Sequence, residues 1–437
     1  MSKWKNSKLD DVTVLIKDGT HGSHKDFPNG IPLLSAKDIE NGKILIPDDC
    51  RTISENEYNL IHTNYKIEND DLLLTIVGTI GRVAIAKELK KKITFQRSVG
   101  IIRFDKNIIF PYYSFYFFQS DNFQQTLERS KNASAQGGVY LGELAKATIA
   151  HPISLPEQRK IAQILSTTDS VIEKTQAAIA KYKAIKQGML HDLFTRGIDV
   201  TTGKLRPKQQ DAPKLYKESK LGWIPKEWDE GKFIDFADEN IHHSFTGGPF
   251  GSDLQTKHYT NTGVRIIQLQ NIGDGVFNDE YKIYTSEERA NYLINCNIYH
   301  GEIIISKMAD PIARACIIPK TEKRYLMASD GIRLSIDKKK FNSRFVMETI
   351  NHNRFRKIAE LKATGSTRAR IGLTELREIS VIYPNKIEQD AIGFRIDTIE
   401  ANLNTEHTYL QKLQMLKSGL MNDLLSGKKE VKLTDHN

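Results

Sequence analysis

The chain has 437 residues, 39% hydrophobic and 27% charged, which excludes a wholly disordered polymer and suggests two or three domains. No apolar run reaches the roughly 18–20 residues that span a bilayer, and Met1 leads into a polar stretch, so neither a membrane helix nor a secretory signal is expected. Three scattered cysteines, Cys50, Cys296 and Cys316, argue against a disulfide framework or a cysteine zinc site and fit a reducing cytoplasm, while 63 Lys and Arg against 54 Asp and Glu give a net charge of +9, compatible with a polyanionic partner.

In chain order, residues 1–152 read as an α+β globule. Short β-type runs at 44–47, 72–77, 82–86 and 99–104 are separated by Gly, Asn and Asp, and a helix is predicted over 112–131. Residues 153–200 read as a long helix. Apolar or small side chains step by three and four through Ile161, Leu165, Thr168, Ile172, Thr175, Ile179 and onward, the seam of a coiled coil. Gly197 then suits a C-terminal cap. Residues 201–222 are polar and contain Pro and Gly, as a linker would. Residues 223–384 repeat the globule, with strands predicted at 265–272, 302–308, 314–319 and 331–336 and a helix over 344–362. Residues 385–430 form a second long helix, with Ile392, Ile396, Ile399, Leu403 and Leu410 on its seam and Gly427 after it.

The chain therefore repeats itself. Gln158 aligns with Gln389, Ile161 with Ile392 and Asp192 with Asp423, all at an offset of 231 without a gap. Upstream, IPLLSAKDIENG from Ile31 parallels VRIIQLQNIGDG from Val264. LLLTIVGTIGRVAIA from Leu72 parallels IIISKMADPIARACII from Ile303, and SVGIIR from Ser98 parallels SDGIRL from Ser329. The helices match better than the globules, as expected for a shared scaffold carrying two different readers. Neither amphipathic helix buries its stripe alone, so the two are expected to pair as an antiparallel coiled coil, which makes the fold pseudo-twofold.

Polar and basic side chains cluster at predicted strand ends and loops. In the first half these are Lys25, Lys37, Arg82, Arg97, Lys131 and Gln136; in the second they are Lys257, Gln268, Gln270, Lys307, Arg314, Arg368 and Arg370. Arg grips guanine in bidentate fashion, Gln grips adenine, and Lys mostly meets phosphate, so these are the candidate DNA contacts. The basic, flexible run 363–372 and its counterpart 132–142 read as DNA-facing loops. No Gly-Lys pair precedes Ser or Thr, so a Walker A loop is missing, and no dinucleotide fingerprint or HExxH is found. No catalytic residue and no metal ligand is expected. The rival readings are a single-chain nuclease or methyltransferase, which needs a catalytic constellation, and a scaffold whose globules bind protein.

The arrangement resembles the specificity subunit of type I restriction-modification systems. The resemblance rests on Pro156-Glu157-Gln158…Ile161 opening a long helix, on its echo Glu388-Gln389…Ile392, and on Lys-x-Gly-x-x-x-Asp-Leu near each helix end. It rests also on Trp223–Trp228, similar to the start of a second target-recognition domain, and on Thr79-Ile80-Gly81-Arg82. The second half departs at Asp310-Pro311, where that glycine pattern is lost. The resemblance implies two target-recognition domains on double-stranded DNA, each reading one part of a bipartite asymmetric target, with the paired helices setting the gap. It also implies a chain without catalysis of its own. Two methyltransferase subunits would dock on the helices, with Gln158, Ile161, Ile172, Ile179, Gln389, Ile392, Leu403 and Leu410 as candidate partner-binding residues, and would methylate adenine at N6. Restriction and translocase subunits would join; S-adenosylmethionine, ATP and Mg2+ would sit on those partners, and no membrane is involved.

Overall fold

A computed structural model describes residues 3–89, 91–132, 137–308, 310–365 and 369–433. The chain divides into two compact units, Met1–Ile179 with Glu406–Asn437, and Ala180–Thr405. Among the described residues, no helix is long and apolar enough to cross a membrane.

The first unit contains strands β1 (Trp4–Lys8), β2 (Thr13–Asp18), β3 (Ile31–Leu34), β4 (Leu72–Thr75), β5 (Val83–Ile85), β6 (Thr94–Phe95), β7 (Val99–Phe104) and β8 (Thr148–Pro152). Its main sheet is antiparallel in the order β2-β7-β4-β5. Strand β4 is buried throughout because side chains alternate between two cores. Leu72 and Leu74 pack with Phe104, Tyr113 and Phe118, while Leu73 packs with Ala84, Phe95 and Ile101. Beside this sheet, β3 and β6 run parallel, Leu34 opposite Phe95.

The predicted helix over 112–131 is two helices, α1 (Pro111–Gln119) and α2 (Asp121–Asn132). Ser120 between them is extended, its hydroxyl donating to the Phe117 carbonyl at 2.6 Å. After β8 comes α3 (Leu155–Thr195), 41 residues without interruption.

The second unit repeats the plan with β9 (Asp229–Lys232), β10 (Phe245–Gly247), β11 (Val264–Ile267), β12 (Ile303–Ser306), β13 (Ala315–Ile317), β14 (Tyr325–Met327), β15 (Gly331–Leu334) and β16 (Ser380–Tyr383). Its four-stranded sheet has the order β10-β15-β12-β13, the counterpart strand for strand of the first. The helix predicted over 344–362 also breaks in two, α4 (Ser343–Asn351) and α5 (Asn353–Lys362), with extended His352 capping the Arg354 amide through Nδ1 at 3.2 Å. The last helix is α6 (Lys386–Leu424). The stretch 201–222, read as a linker, is partly ordered. It continues a hairpin that pairs Ile198 with Leu205, and it opens a second that pairs Tyr216 with Pro225.

The long helices pack antiparallel within each unit. In the first, Ile161, Ala162 and Leu165 near the start of α3 share a core with Leu424 and Leu425 at the end of α6. In the second, Leu193 and Phe194 near the end of α3 share a core with Ile392 and Ile396 near the start of α6. Each such buried Leu, Ile or Phe side chain contributes roughly 1.5–3 kcal/mol relative to exposure. The seam also carries a duplicated ion pair. Lys417 Nζ lies 2.6 Å from Asp169 in the first unit, and Lys186 Nζ lies 2.6 Å from Glu400 in the second. Both members of one pair are 231 positions from their counterparts in the other.

The helix ends are locked by equivalent glycines. Gly197 has φ +63°, and a Cβ there would fall 2.8 Å from the Trp228 ring and 2.1 Å from a Glu388 oxygen. Gly427 has φ +72°, and its Cβ would fall 2.9 Å from the Trp4 ring. Any other residue would be strained in backbone and blocked in space.

Gln158 and Gln389 correct the expectation that they face a partner. Both are buried, each inside its own unit. Gln158 accepts from the Phe110 amide at 2.8 Å and donates to the Pro152 carbonyl at 2.8 Å. Gln389 accepts from the Asn342 amide at 2.9 Å and donates to the Pro384 carbonyl at 2.8 Å. They tie each long helix to the turn before the globule's helical pair. Ile161, Ile179, Ile392 and Leu403 are buried too, and Ile172 and Leu410 half-buried, so the apolar stripe is covered within the chain rather than offered outward.

Candidate nucleic-acid interface

In the second unit, β12 delivers Lys307 to the point where three segments meet. The Lys307 amide donates to the Asp330 carbonyl at 2.7 Å, and the Ile371 amide donates to the Lys307 carbonyl at 2.9 Å. The Lys307 ammonium donates to the Ser329 carbonyl at 2.9 Å, and the Arg370 guanidinium bonds the Asp330 carboxylate at 2.7 Å. Burial pushes the Lys307 ammonium down from its ordinary value, against the opposing pull of Asp330. Thr364 and Arg370 exchange backbone hydrogen bonds of 2.9 and 2.8 Å, closing a loop at its base. Arg368 is in that loop and Gln136 in its first-unit counterpart; both lie outside the described residues.

The same backbone contacts recur in the first unit with different side chains. The Ile76 amide donates to the Ser98 carbonyl at 2.9 Å, and the Val139 amide donates to the Ile76 carbonyl at 2.9 Å. Ile76 is thus the counterpart of Lys307, Ser98 of Asp330, and Gly138 of Arg370. Strand pairing agrees: Val99 faces Thr75 as Gly331 faces Ser306. This corrects the sequence alignment of SVGIIR with SDGIRL by one residue, because the two glycines occupy successive rungs of the ladder. Arg97, exposed, is the counterpart of Ser329.

A second shared element is a 3-10 turn after the parallel strand, Ala36–Asp38 in one unit and Leu269–Asn271 in the other. Each is closed by a buried side chain. Asp38 accepts from the Ser35 amide at 2.7 Å, and Asn271 accepts from the Gln268 amide at 3.0 Å. Lys37 and Gln270 are the exposed middle residues of the two turns. Gln270 donates to the Gln268 side-chain oxygen at 3.2 Å, and Gln268 donates to the Tyr259 hydroxyl at 3.1 Å.

Arg82 and Arg314, offered as DNA contacts, are half-buried and bond inward. Arg82 Nη1 donates to the Ile39 carbonyl at 3.2 Å, and Arg314 Nη2 donates to the Leu269 carbonyl at 3.4 Å. Both carbonyls belong to the 3-10 turn or the residue after it, so these arginines hold the turn. Lys25 and Lys257 are exposed, and Lys131 is half-buried 3.5 Å from Glu128; among the described contacts none of the three joins either group. Sequence reasoning missed Asp330 and Tyr259. The acid standing inside SDG at the entry to a predicted strand was the available signal for Asp330; nothing in the pattern singled out Tyr259.

Residues 1–181 match the family model described as the type I restriction modification DNA specificity domain. The chain is 24% identical to the putative type I restriction enzyme MjaX specificity subunit of Methanocaldococcus jannaschii, over 98% of this chain and 94% of that protein. It is 30% identical to the type I restriction enzyme EcoBI specificity subunit of Escherichia coli over 39% of this chain and 36% of that one. Its fold is similar to the crystal structure of a type I restriction-modification S subunit from M. genitalium, with a TM-score of 0.56, 15% identity and coverage of 99% and 97%. The duplicated sheet-and-helix units and these matches together make the chain similar along nearly its whole length to type I restriction-modification specificity subunits, with its first 181 residues matching that family's DNA specificity domain.

Proposed function

We propose that each unit reads one part of a bipartite, asymmetric double-stranded DNA target, and that the paired helices set the gap between the parts. One observation carries the reading. Two units whose main sheets share one strand order carry different residues at equivalent strand-end, loop and turn positions: Lys307 against Ile76, Arg370 against Gly138, Gln270 against Lys37. A shared scaffold with divergent edges is what two different sequence readers require.

In this proposal two methyltransferase subunits dock on the outer faces of the long helices. Ile387 and Phe394 are exposed on α6 in the second unit, and Tyr409, Met415 and Leu416 in the first. The docked subunits methylate adenine at N6 on a flipped base using S-adenosylmethionine. A restriction and translocase subunit using ATP and Mg2+ joins them, in the cytoplasm. This chain contributes binding and spacing.

The test is a matched insertion of four residues after Ala180 in α3 and after Thr405 in α6, points that lie opposite each other in the register set by Lys186 with Glu400 and Asp169 with Lys417, so that both helices lengthen together and their stripes rotate together. At ~1.5 Å per residue the helices lengthen by about 6 Å, or roughly two base pairs at ~3.4 Å each. Sequencing methylated DNA from a host carrying the complex should show both half-sites unchanged and the gap longer by about two. Altered half-sites with an unchanged gap would sink the proposal.

A further inference from the structure

We infer that Lys37 and Gln270 are equivalent base-reading residues, each presented from the corner of the same arginine-held turn. The inference rests on the DNA-reading role proposed above and names the side chains that set one position in each half-site.

The turn is built to hold one exposed side chain still. Its closing residue is buried in both units, Asp38 in one and Asn271 in the other, and Asn271 also donates to the carbonyls of Asn278 at 2.9 Å and Tyr281 at 2.8 Å. An arginine from the equivalent strand-entry position, Arg82 or Arg314, holds the turn's backbone from behind. In the first unit the Ser98 hydroxyl adds a bond from the Ala36 amide at 3.1 Å. The remaining side chain, at the middle of the turn, is exposed in both units. Direct readout needs this combination of a fixed backbone and an exposed polar tip, because base edges differ by donor positions a few ångströms apart.

The chemistry at the two tips differs. Gln270 carries a donor and an acceptor, and its amide is held by the chain that runs through Gln268 to the Tyr259 hydroxyl. A glutamine so placed matches the donor and acceptor of adenine in the major groove. Lys37 has donors only and matches the acceptors of guanine. Arg82 and Arg314 are positioning residues; they act on the readout through the turn.

The experiment uses the full chain assembled with its methyltransferase subunits in a methylation-deficient host, with the methylated motif read by sequencing. Gln270→Ala should relax one position of one half-site by roughly ten- to a hundredfold. Gln270→Glu, an acceptor only, should move that position from adenine toward cytosine. Lys37→Gln should change one position of the other half-site. Arg314→Gln should blur the position that Gln270 sets and leave the rest of the motif intact. A uniform fall in methylation with the motif unchanged would mark these residues as phosphate contacts and overturn the inference, as would a change in both half-sites from a single substitution. A wild-type complex without a two-part motif refutes the DNA-reading proposal itself; a normal wild-type motif that every variant retains refutes only this inference.

Discussion

Glu388 and Glu157 occupy the same position in the two copies but should respond oppositely to the same substitution. Glu388 is fully buried. It accepts from Arg206 at 2.6 and 2.9 Å, from the Trp228 indole at 3.1 Å and from the Ile198 amide at 2.8 Å. Glu388→Gln leaves the buried Arg206 guanidinium with the Arg196 carbonyl at 3.2 Å and, as its salt-bridge partner, the rim carboxylate of Glu227, 3.1 Å away. Breaking a buried pair by removing one partner costs about 3–5 kcal/mol; Glu227 keeps the expected loss near the lower end, about 3 kcal/mol, or roughly a hundredfold in the unfolding constant. Trp228 sits in this network, so its fluorescence during urea unfolding reports the second unit directly. Replacing both partners, as in Glu388→Gln with Arg206→Met, should recover most of the loss. Glu157 lies 231 positions earlier, where burial, and then the charge of Glu430, push its carboxyl above its ordinary value against a smaller opposing pull from Lys3. A carboxyl raised in the native state favours folding below its unfolded value and loses that contribution as pH rises through the native one. At neutral pH Glu157→Gln should therefore be neutral or stabilising. Equal losses from both substitutions, or a Glu388→Gln loss below about 0.5 kcal/mol, against the 3–5 kcal/mol of a broken buried pair, would refute the reasoning.

Two further outcomes are expected. Burial, helped by Arg354 and His191, pulls His352 down to about 4. The neutral ring that caps α5 then stabilises the second unit above the unfolded value, ~6.5, and that contribution disappears as pH falls from there through about 4. His352→Asn keeps a cap and removes the titration, so urea unfolding should show a flatter pH dependence over that window; an unchanged slope would exclude His352 as its source. On the helix seam, Lys417→Ala leaves Asp169 with the Tyr116 hydroxyl at 2.8 Å, whereas Lys186→Ala leaves Glu400 with Arg344 at 2.5 Å. Both pairs are partly exposed, so losses of about 0.5 kcal/mol that shrink in high salt are expected, the larger for Lys417→Ala. A loss of several kcal/mol, or no salt dependence, would show that the seam relies on these pairs more than exposed ion pairs permit.

Much of the architecture was legible before any coordinates. The gapless offset of 231 exposed the duplication, because a helix seam tolerates no insertion without rotating its stripe. The seam residues Ile161, Ile179, Ile392 and Leu403 are buried as their spacing implied. The breaks at Ser120 and His352 were not legible, since apolar periodicity continues across both and only the capping bonds reveal the turn. The candidate interface was half visible. Lys307 with Arg370, and Gln268 with Gln270, were grouped by composition and do meet in space. Arg82 and Arg314 carried the same charge signal and proved to face inward, because a guanidinium can satisfy a buried carbonyl as readily as a phosphate.

Read alone, the chain determines that it is one plan written twice, with the same helix and different edges, since periodicity and offset are properties of the string. Only the tertiary structure decides which residues are equivalent at the edge. Sheet register is set by hydrogen bonds between strands distant in sequence, and a slip of one residue exchanges the two faces. That is why Ser98 answers to Asp330 rather than to the serine beside it, and why Glu388 has an arginine partner that the local sequence around it does not announce.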